Sequence, residues 1–139
     1  MTRRALLLTA MAAPLAAADP AGEVWNLFTT IASALAAADA STFLAAFDRE
    51  MPGFAGLRVD VAALVENYAV QSTIDPVSNE GDDRARTVEL TWLLHLTSLS
   101  DSMKVTRRSE TIHCRLAKQG RHWKIESFSP LSFFAPPAE

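Results

Sequence analysis

The sequence predicts an α+β domain in which N-terminal helices pack against a curved, four-stranded antiparallel sheet. From residue 84 to residue 99 the chain alternates apolar and polar side chains, the period-two pattern of a strand with one buried face. Two further runs repeat this alternation on either side of a Gln119-Gly120 turn. A helical pattern of about 20 residues precedes them. Because the apolar faces of the strands share one side, this leading helix is the natural element to cover it.

Three helices are predicted from capping residues and apolar spacing. The first begins at Asp19-Pro20, an N-cap acceptor followed by a proline whose missing N–H costs nothing at that position. The second is short and begins after Asp39. The third is capped by Asp60 and spans residues 61–68.

The four strands follow as a meander. The first spans residues 69–78, with Val70, Ser72 and Ile74 facing inward. The inward positions of the later strands are Val88, Leu90, Trp92, Leu94 and Leu96, then Ile112, Cys114 and Leu116, then Trp123 and Ile125. A two-residue turn at Gln119-Gly120 places Leu116 opposite Trp123 and Cys114 opposite Ile125. Strands of this length twist, so we expect the sheet to curl around the first helix into a half-open cone.

The first 18 residues have the pattern of a signal peptide. Arg3 and Arg4 precede an apolar run, and Ala16-Ala17-Ala18 supplies the small residues of a cleavage site after Ala18. The apolar run is shorter than the roughly 20 residues of a membrane span. We therefore expect export to the periplasm or the exterior, by the general or the twin-arginine route. Residues 19–139 then form a single domain with a C-terminal tail from about residue 130.

The charge of the chain argues against nucleic acid as a partner. The sequence has 13 Lys and Arg against 16 Asp and Glu, a net charge of −3. Removal of Arg3 and Arg4 leaves 11 basic residues against 16 acidic ones, or −5. Cys114 is the only cysteine, so no intrachain disulfide forms. Its inward position predicts a small buried core residue rather than a nucleophile.

Three sequence motifs resemble those of nuclear transport factor 2-like (SnoaL-like) domains. They are LAAAD at residues 35–39, FLAAFD at residues 43–48 and GRHWKI at residues 120–125, and the similarity extends over about residues 21–129. The resemblance implies a cystatin-like cone with a cavity between the helices and the sheet, and it implies a possible homodimer of paired sheets. That superfamily contains isomerases, dehydratases, hydrolases and transport adaptors, so the fold does not choose the function.

Two charged residues interrupt the apolar inward positions of the third strand. They are Arg108 and Glu110, which the turn at residues 100–102 places near Leu94 and Trp92 respectively. The two side chains are close enough to pair, and in a cavity Glu110 would serve as general base and Arg108 as anion partner. Two alternatives remain: a solvated ion pair at the mouth of the sheet, or a bulge that turns both side chains outward.

The predicted cavity has an apolar wall and a candidate cover. The residues expected to bind an apolar ligand are Leu90, Trp92, Leu94, Ile112 and Trp123. Phe133 and Phe134, in a proline-rich tail, either cover the sheet edge or cone mouth of their own chain or mark a partner surface.

The histidines do not predict a metal centre. His95, His113 and His122 all have outward parity on successive strands, and their positions do not converge on one point. We therefore predict no metal and no cofactor.

The predicted function is binding rather than catalysis. The ligand would be a small apolar molecule or a partner protein held in the cone. One alternative is a cofactor-free isomerase, dehydratase or hydrolase that uses Glu110 and Arg108. Another is a structural envelope protein whose cavity is filled by its own side chains. An open cone favours a ligand or a substrate, whereas a cone plugged by Trp92, Phe133 or Phe134 favours an interaction or structural role.

Overall fold

A computed structural model describes residues 19–138, and the predicted signal peptide lies outside these residues. The helices are α1 (Pro20–Ala36), α2 (Ala40–Ala45) and α3 (Phe54–Asn67), and the strands are β1 (Tyr68–Gly81), β2 (Ala85–Ser98), β3 (Val105–Gln119) and β4 (His122–Ser129). A 3-10 turn follows at Leu131–Phe134. The sheet is an antiparallel meander in the order β1-β2-β3-β4, which confirms the predicted α+β fold with helices on a curved sheet.

Capping residues set the starts of the helices, with one correction to the prediction. Asp19 caps α1 by accepting a hydrogen bond from the backbone N–H of Ala21 at 3.2 Å. Asp39 caps α2 in the same way through Thr42, at 3.0 Å. The prediction that Asp60 caps α3 is wrong, because α3 begins seven residues earlier, after Gly53. Buried Leu57 extends the apolar stripe of α3 back by one turn.

The register between β2 and β3 agrees with the prediction. Trp92 lies opposite Glu110, and Leu94 lies opposite Arg108. On the other side of β2, Ile74 of β1 pairs with Trp92, so the inward positions of three strands share one face. The sheet therefore presents one continuous apolar surface to the helices.

The predicted pairing of β3 with β4 is wrong by two residues. Gln119 pairs with His122 across a Gly120-Arg121 turn, so Leu116 faces Ile125 instead of Trp123. Gly120 supplies the left-handed φ of 64° that the turn requires. A bulge after Arg115 then sets Cys114 opposite Phe128. A shift of two residues preserves parity, so the predicted inward face of the sheet is unchanged.

The concave face of the sheet forms one core with α1. The helix contributes Val24, Phe28, Ile31 and Leu35, which are buried together with the inward residues of the four strands. Within residues 19–138 the fully buried side chains are all apolar, and no described helix is long and apolar enough to cross a membrane. The leading helix covers the sheet as predicted.

Candidate functional site

The residues predicted to bind a ligand lie in the core. Leu90, Trp92, Leu94 and Ile112 are each 0% exposed, and Trp123 is 6% exposed. Trp92 occupies the middle of β2, on the concave face. These five side chains therefore share one interior, and their exposure to solvent is almost nil.

The C-terminal segment, residues 130–138, fills the cone over Trp92. Phe133 and Phe134 belong to its 3-10 turn, and both are buried. The ring centroid of Trp92 lies 6.0 Å from that of Phe133 and 5.3 Å from that of Phe134. Phe134 also packs edge-on against Phe43 of α2, with a centroid distance of 5.1 Å. Tilted and edge-to-face arrangements of this kind are favourable for aromatic rings.

Arg108 fastens this segment to the sheet. Its Nη1 atom donates hydrogen bonds to the backbone oxygens of Phe133 and Ala135, each at 2.7 Å. The side chain is half-buried on the concave face. A guanidinium in that position is tolerated because its donors find acceptors, and short charge-assisted hydrogen bonds are the stronger class.

Glu110 does not join Arg108. It lies opposite Trp92 in the register, yet its side chain is exposed. Among the described residues it has no ion pair, and Arg108 bonds to the tail carbonyls instead. The β3–β4 pairing ends at His113, so Glu110 lies on the part of β3 that β4 does not flank among the described residues. The expected inward Glu–Arg pair is thus not formed within the chain, and the catalytic roles of both residues stay predictions.

Two buried polar atoms in the cone have no hydrogen-bond partner among the described residues. They are Nε1 of Trp92 and Oγ of Ser72. Ser72 pairs with Leu94 on the same face of the sheet, next to the Ile74–Trp92 pair. A buried N–H without an acceptor is unfavourable by about 1–3 kcal/mol. The interior beneath the C-terminal segment therefore holds two buried groups, the Trp92 N–H and the Ser72 hydroxyl, that have no partner within residues 19–138.

Trp123 occupies the other end of the concave face and is bonded there. Its Nε1 donates to Oε1 of Glu23 at 2.9 Å, and Lys118 Nζ donates to the same oxygen at 3.2 Å. The hydrogen bond from Trp123, and to a smaller extent that from Lys118, holds the pKa of Glu23 below its ordinary value. This cluster ties α1 to the sheet, and the ligand-binding role of Trp123 stays a prediction.

Clefts on the described surface lie away from the predicted ligand residues of the core. One of about 460 Å³ lies between α2 and α3, beside Leu44 and Phe54. Another of about 320 Å³ lies between Tyr68, Leu99 and the end of the C-terminal segment. Both are open surface depressions rather than continuations of the cone interior.

The remaining chemistry-bearing side chains do not assemble into a site. His95 accepts a 3.3 Å hydrogen bond from Arg107, and His113 lies 3.9 Å from Glu89, both on the convex face. Between residues 19 and 138 no three potential metal ligands converge. Burial raises the pKa of the Cys114 thiol, which disfavours the nucleophilic thiolate. The predicted lack of a metal or cofactor stays a prediction.

Sequence reasoning missed the bonding of Arg108 to the tail. The available signal was an inward arginine on a strand together with two adjacent phenylalanines that have to be buried. The acceptors of Arg108 are backbone carbonyls, which every residue has. The residue types of the tail therefore do not predict this contact.

Comparison with solved structures identifies the fold. A nuclear transport factor 2-like protein of unknown function from Shewanella oneidensis superimposes with a TM-score of 0.61 at 12% identity, covering 79% of this chain and 97% of that one. A proposed dehydratase of the nuclear transport factor 2-like family from Streptomyces avermitilis gives 0.64 at 12% identity, covering 78% and 93%. A protein of unknown function with a cystatin-like fold from Nostoc punctiforme gives 0.60 at 16% identity, covering 76% and 85%. No family model and no curated protein matches the chain. The predicted nuclear transport factor 2-like fold is confirmed.

Proposed function

We propose that this nuclear transport factor 2-like domain is an exported, non-catalytic interaction module whose cone is filled by its own side chains. The single observation that carries the proposal is the packing of Phe133 and Phe134 on Trp92, where the resemblance places a ligand cavity. A ligand pocket needs a few hundred cubic ångströms of free volume, and Trp92 and Phe134 are each 0% exposed. Because the cone is filled, a partner would bind to the outer surface of the domain. Export rests on the leader pattern of residues 1–18.

The catalytic alternative receives less support from this geometry. A general base acts within hydrogen-bond reach of its substrate in a site that excludes water, whereas Glu110 is exposed. Arg108 is engaged by the carbonyls of the C-terminal segment and is not directed at a substrate oxygen. The dehydratase description belongs to a neighbour at 12% identity, which supports the fold and not the reaction.

A second candidate function, binding of a small apolar molecule in the cone, is favoured by one observation. Nε1 of Trp92 is buried, and none of residues 19–138 supplies an acceptor for it. An apolar molecule with one hydrogen-bond acceptor would satisfy this donor if it displaced the two phenylalanines. In that case the C-terminal segment would occupy the ligand site of the unliganded protein.

Native mass spectrometry of the processed protein, purified from its own envelope, distinguishes these functions. The proposal predicts masses equal to the chain or to its multiples, with no small molecule attached. A co-purifying small molecule that is lost in Trp92→Phe would contradict the proposal and favour the second candidate. Trp25→Phe is the matched control, because Trp25 is only partly buried at the periphery of the core. Retention of the molecule in that variant would locate its binding at Trp92.

A further inference from the structure

The N-terminal half of β3, residues 106–112, is an open strand edge within the described fold. β3 runs Val105–Gln119, but β4 pairs only with its residues 113–119. Residues 106–112 have β2 on one side, and no strand of residues 19–138 lies on the other. An unpaired edge of this kind is a template for another strand.

The hydrogen bonds of β3 show which backbone groups face the open side. Ser98 donates to the carbonyl of Lys104 at 3.0 Å, and Lys118 donates to that of Arg84 at 2.8 Å, so the even positions of β3 bond to β2. Because antiparallel bonding alternates, the odd positions direct their N–H and C=O groups outward. Those positions are Arg107, Ser109 and Thr111. All three residues are exposed, and no described residue bonds to their backbone groups.

We propose that this edge pairs with the same edge of a second copy of the chain, antiparallel and centred on Ser109. The open window of residues 106–112 is bounded by the β2–β3 hairpin at one end and by the last β4 pair, at Ser129, at the other. Its midpoint is Ser109. A two-fold axis at this point places Arg107 of one copy opposite Thr111 of the other. Every outward N–H and C=O of the three odd residues then has a partner, and the two sheets become one.

Charge complementarity selects a second copy rather than an unrelated strand. Centring on Ser109 places Arg108 opposite Glu110 of the second copy, and the reverse, at positions that are not backbone-bonded. Cross-strand side chains approach most closely at such positions. Glu110 has no ion pair or side-chain hydrogen bond within residues 19–138, and Arg108 uses only Nη1 on the C-terminal segment. The two residues that interrupt the apolar face of β3 would thus pair between chains.

This inference goes beyond the closed cone and does not depend on it. A cone that binds a ligand would leave the edge of β3 unchanged, and a monomeric chain would leave the cone closed. The two proposals therefore fail separately.

Sedimentation equilibrium of the processed chain tests the proposal through a pair of variants at one position. The expected result is a dimer whose dissociation constant rises about tenfold or more in Ser109→Pro, because proline removes the N–H on the two-fold axis from both copies. In the monomer this N–H faces water, so the circular dichroism spectrum should not change. Ser109→Ala keeps the N–H and should dimerise like the native chain. A monomer at all concentrations, or equal dimerisation of the proline variant, would overturn the proposal.

Disulfide trapping tests the position of the contact. Two Ser109→Cys chains should link under mild oxidation, because paired residues of adjacent strands have Cα atoms about 5.5 Å apart. Thr73→Cys is the control, since Thr73 is exposed on the convex face of β1. Cys114 is buried and does not compete. Linking through Thr73 and not through Ser109 would assign the dimer to the outer sheet face and refute the edge.

Discussion

The two tryptophans of the concave face are held by different forces. Trp92 is enclosed by aromatic rings, with centroids of Phe128, Phe133 and Phe134 between 5.3 and 6.2 Å from its own. Its Nε1 has no acceptor in the described part of the chain. Trp123 lies nearer the surface, and its Nε1 donates to Glu23, which also accepts from a lysine. The Trp92 end of the cone is filled by apolar packing, in a segment that Arg108 fastens, whereas the Trp123 end is held by hydrogen bonds to a carboxylate.

This difference separates what closes the cone from what anchors its first helix. Apolar burial is non-directional and insensitive to pH, and it tolerates an unused donor when enough surface is removed from water. Hydrogen bonds to a carboxylate are directional, and the stabilisation that they supply is lost when the carboxylate is protonated. We therefore expect substitutions around Trp92 to have large, pH-independent effects, and substitutions around Trp123 to have smaller, pH-dependent ones.

The largest expected effect comes from removing an aromatic ring of the C-terminal segment. Phe134→Ala should lower the free energy of unfolding by about 3–5 kcal/mol, because it leaves a cavity against Trp92 and Phe43. Urea denaturation measures this loss. Phe134→Leu fills most of the volume and should lose much less. A loss below about 1 kcal/mol in Phe134→Ala would show that the C-terminal segment is not packed in the core.

Removal of the Arg108 donors should have the next largest effect. Arg108→Met keeps an apolar stem but leaves the carbonyls of Phe133 and Ala135 without their donor, a loss of about 2 kcal/mol. Arg107→Met, on the opposite face of the same strand, is the matched control. It should change the free energy of unfolding by less than about 0.5 kcal/mol, since Arg107 is exposed. Equal losses in the two variants would argue that the segment is not fastened by Arg108.

A pair of glycine substitutions tests the contact of the C-terminal segment with the loop before α3. A Cβ added at Gly53, where φ is 86°, would lie 2.7 Å from Cδ1 of Leu131. Gly53→Ala should therefore lower the free energy of unfolding by about 1–2 kcal/mol through backbone strain, and further through the clash. Gly56→Ala, inside α3 and with nothing within 4 Å, should instead stabilise by about 0.5–1 kcal/mol. Thermal unfolding of both variants gives the comparison, and a loss in both would contradict it.

The smallest expected effect is at Glu23, and it depends on pH. The folded-state pKa of Glu23 is lowered, so its stabilising contribution is complete above its ordinary pKa and disappears as the pH falls through the folded-state pKa. Glu23→Gln should lower the free energy of unfolding by about 1 kcal/mol at pH 7 and by almost nothing in strong acid. Urea denaturation across pH measures this change. The loss in Phe134→Ala should stay constant across the same range, and a parallel pH dependence would contradict the distinction between the two ends.

The sheet could be predicted because parity constrains it strongly. Every inward apolar residue of β2 falls at an even position, and the short hairpin after Ser98 fixed Trp92 opposite Glu110. Parity does not detect a slip of two residues, which is why the Trp123 pairing was wrong while its face was right. The start of α3 was missed because Asp60 offers a cap within the helix, and the cap at Gly53 has no side chain.

The contents of the cone could be predicted only in part. Phe133 and Phe134 indicate burial, but the sequence does not specify whether a chain covers its own cone or a partner's surface. The outcome depends on the path of residues 130–138, which a backbone-to-arginine contact fixes. The exposure of the Glu110 side chain depends on where β4 ends. The alternation of apolar and polar residues does not predict that end point.

Titration with the uncharged fluorophore N-phenyl-1-naphthylamine tests most directly whether the C-terminal segment closes the cone. The processed native chain should give no saturable fluorescence increase. A chain ending at Ser129, or the Phe133→Ala/Phe134→Ala double variant if the shortened chain fails to fold, should bind about one equivalent at the exposed Trp92. Saturable binding to the native chain, as tight as to these variants, would contradict the account.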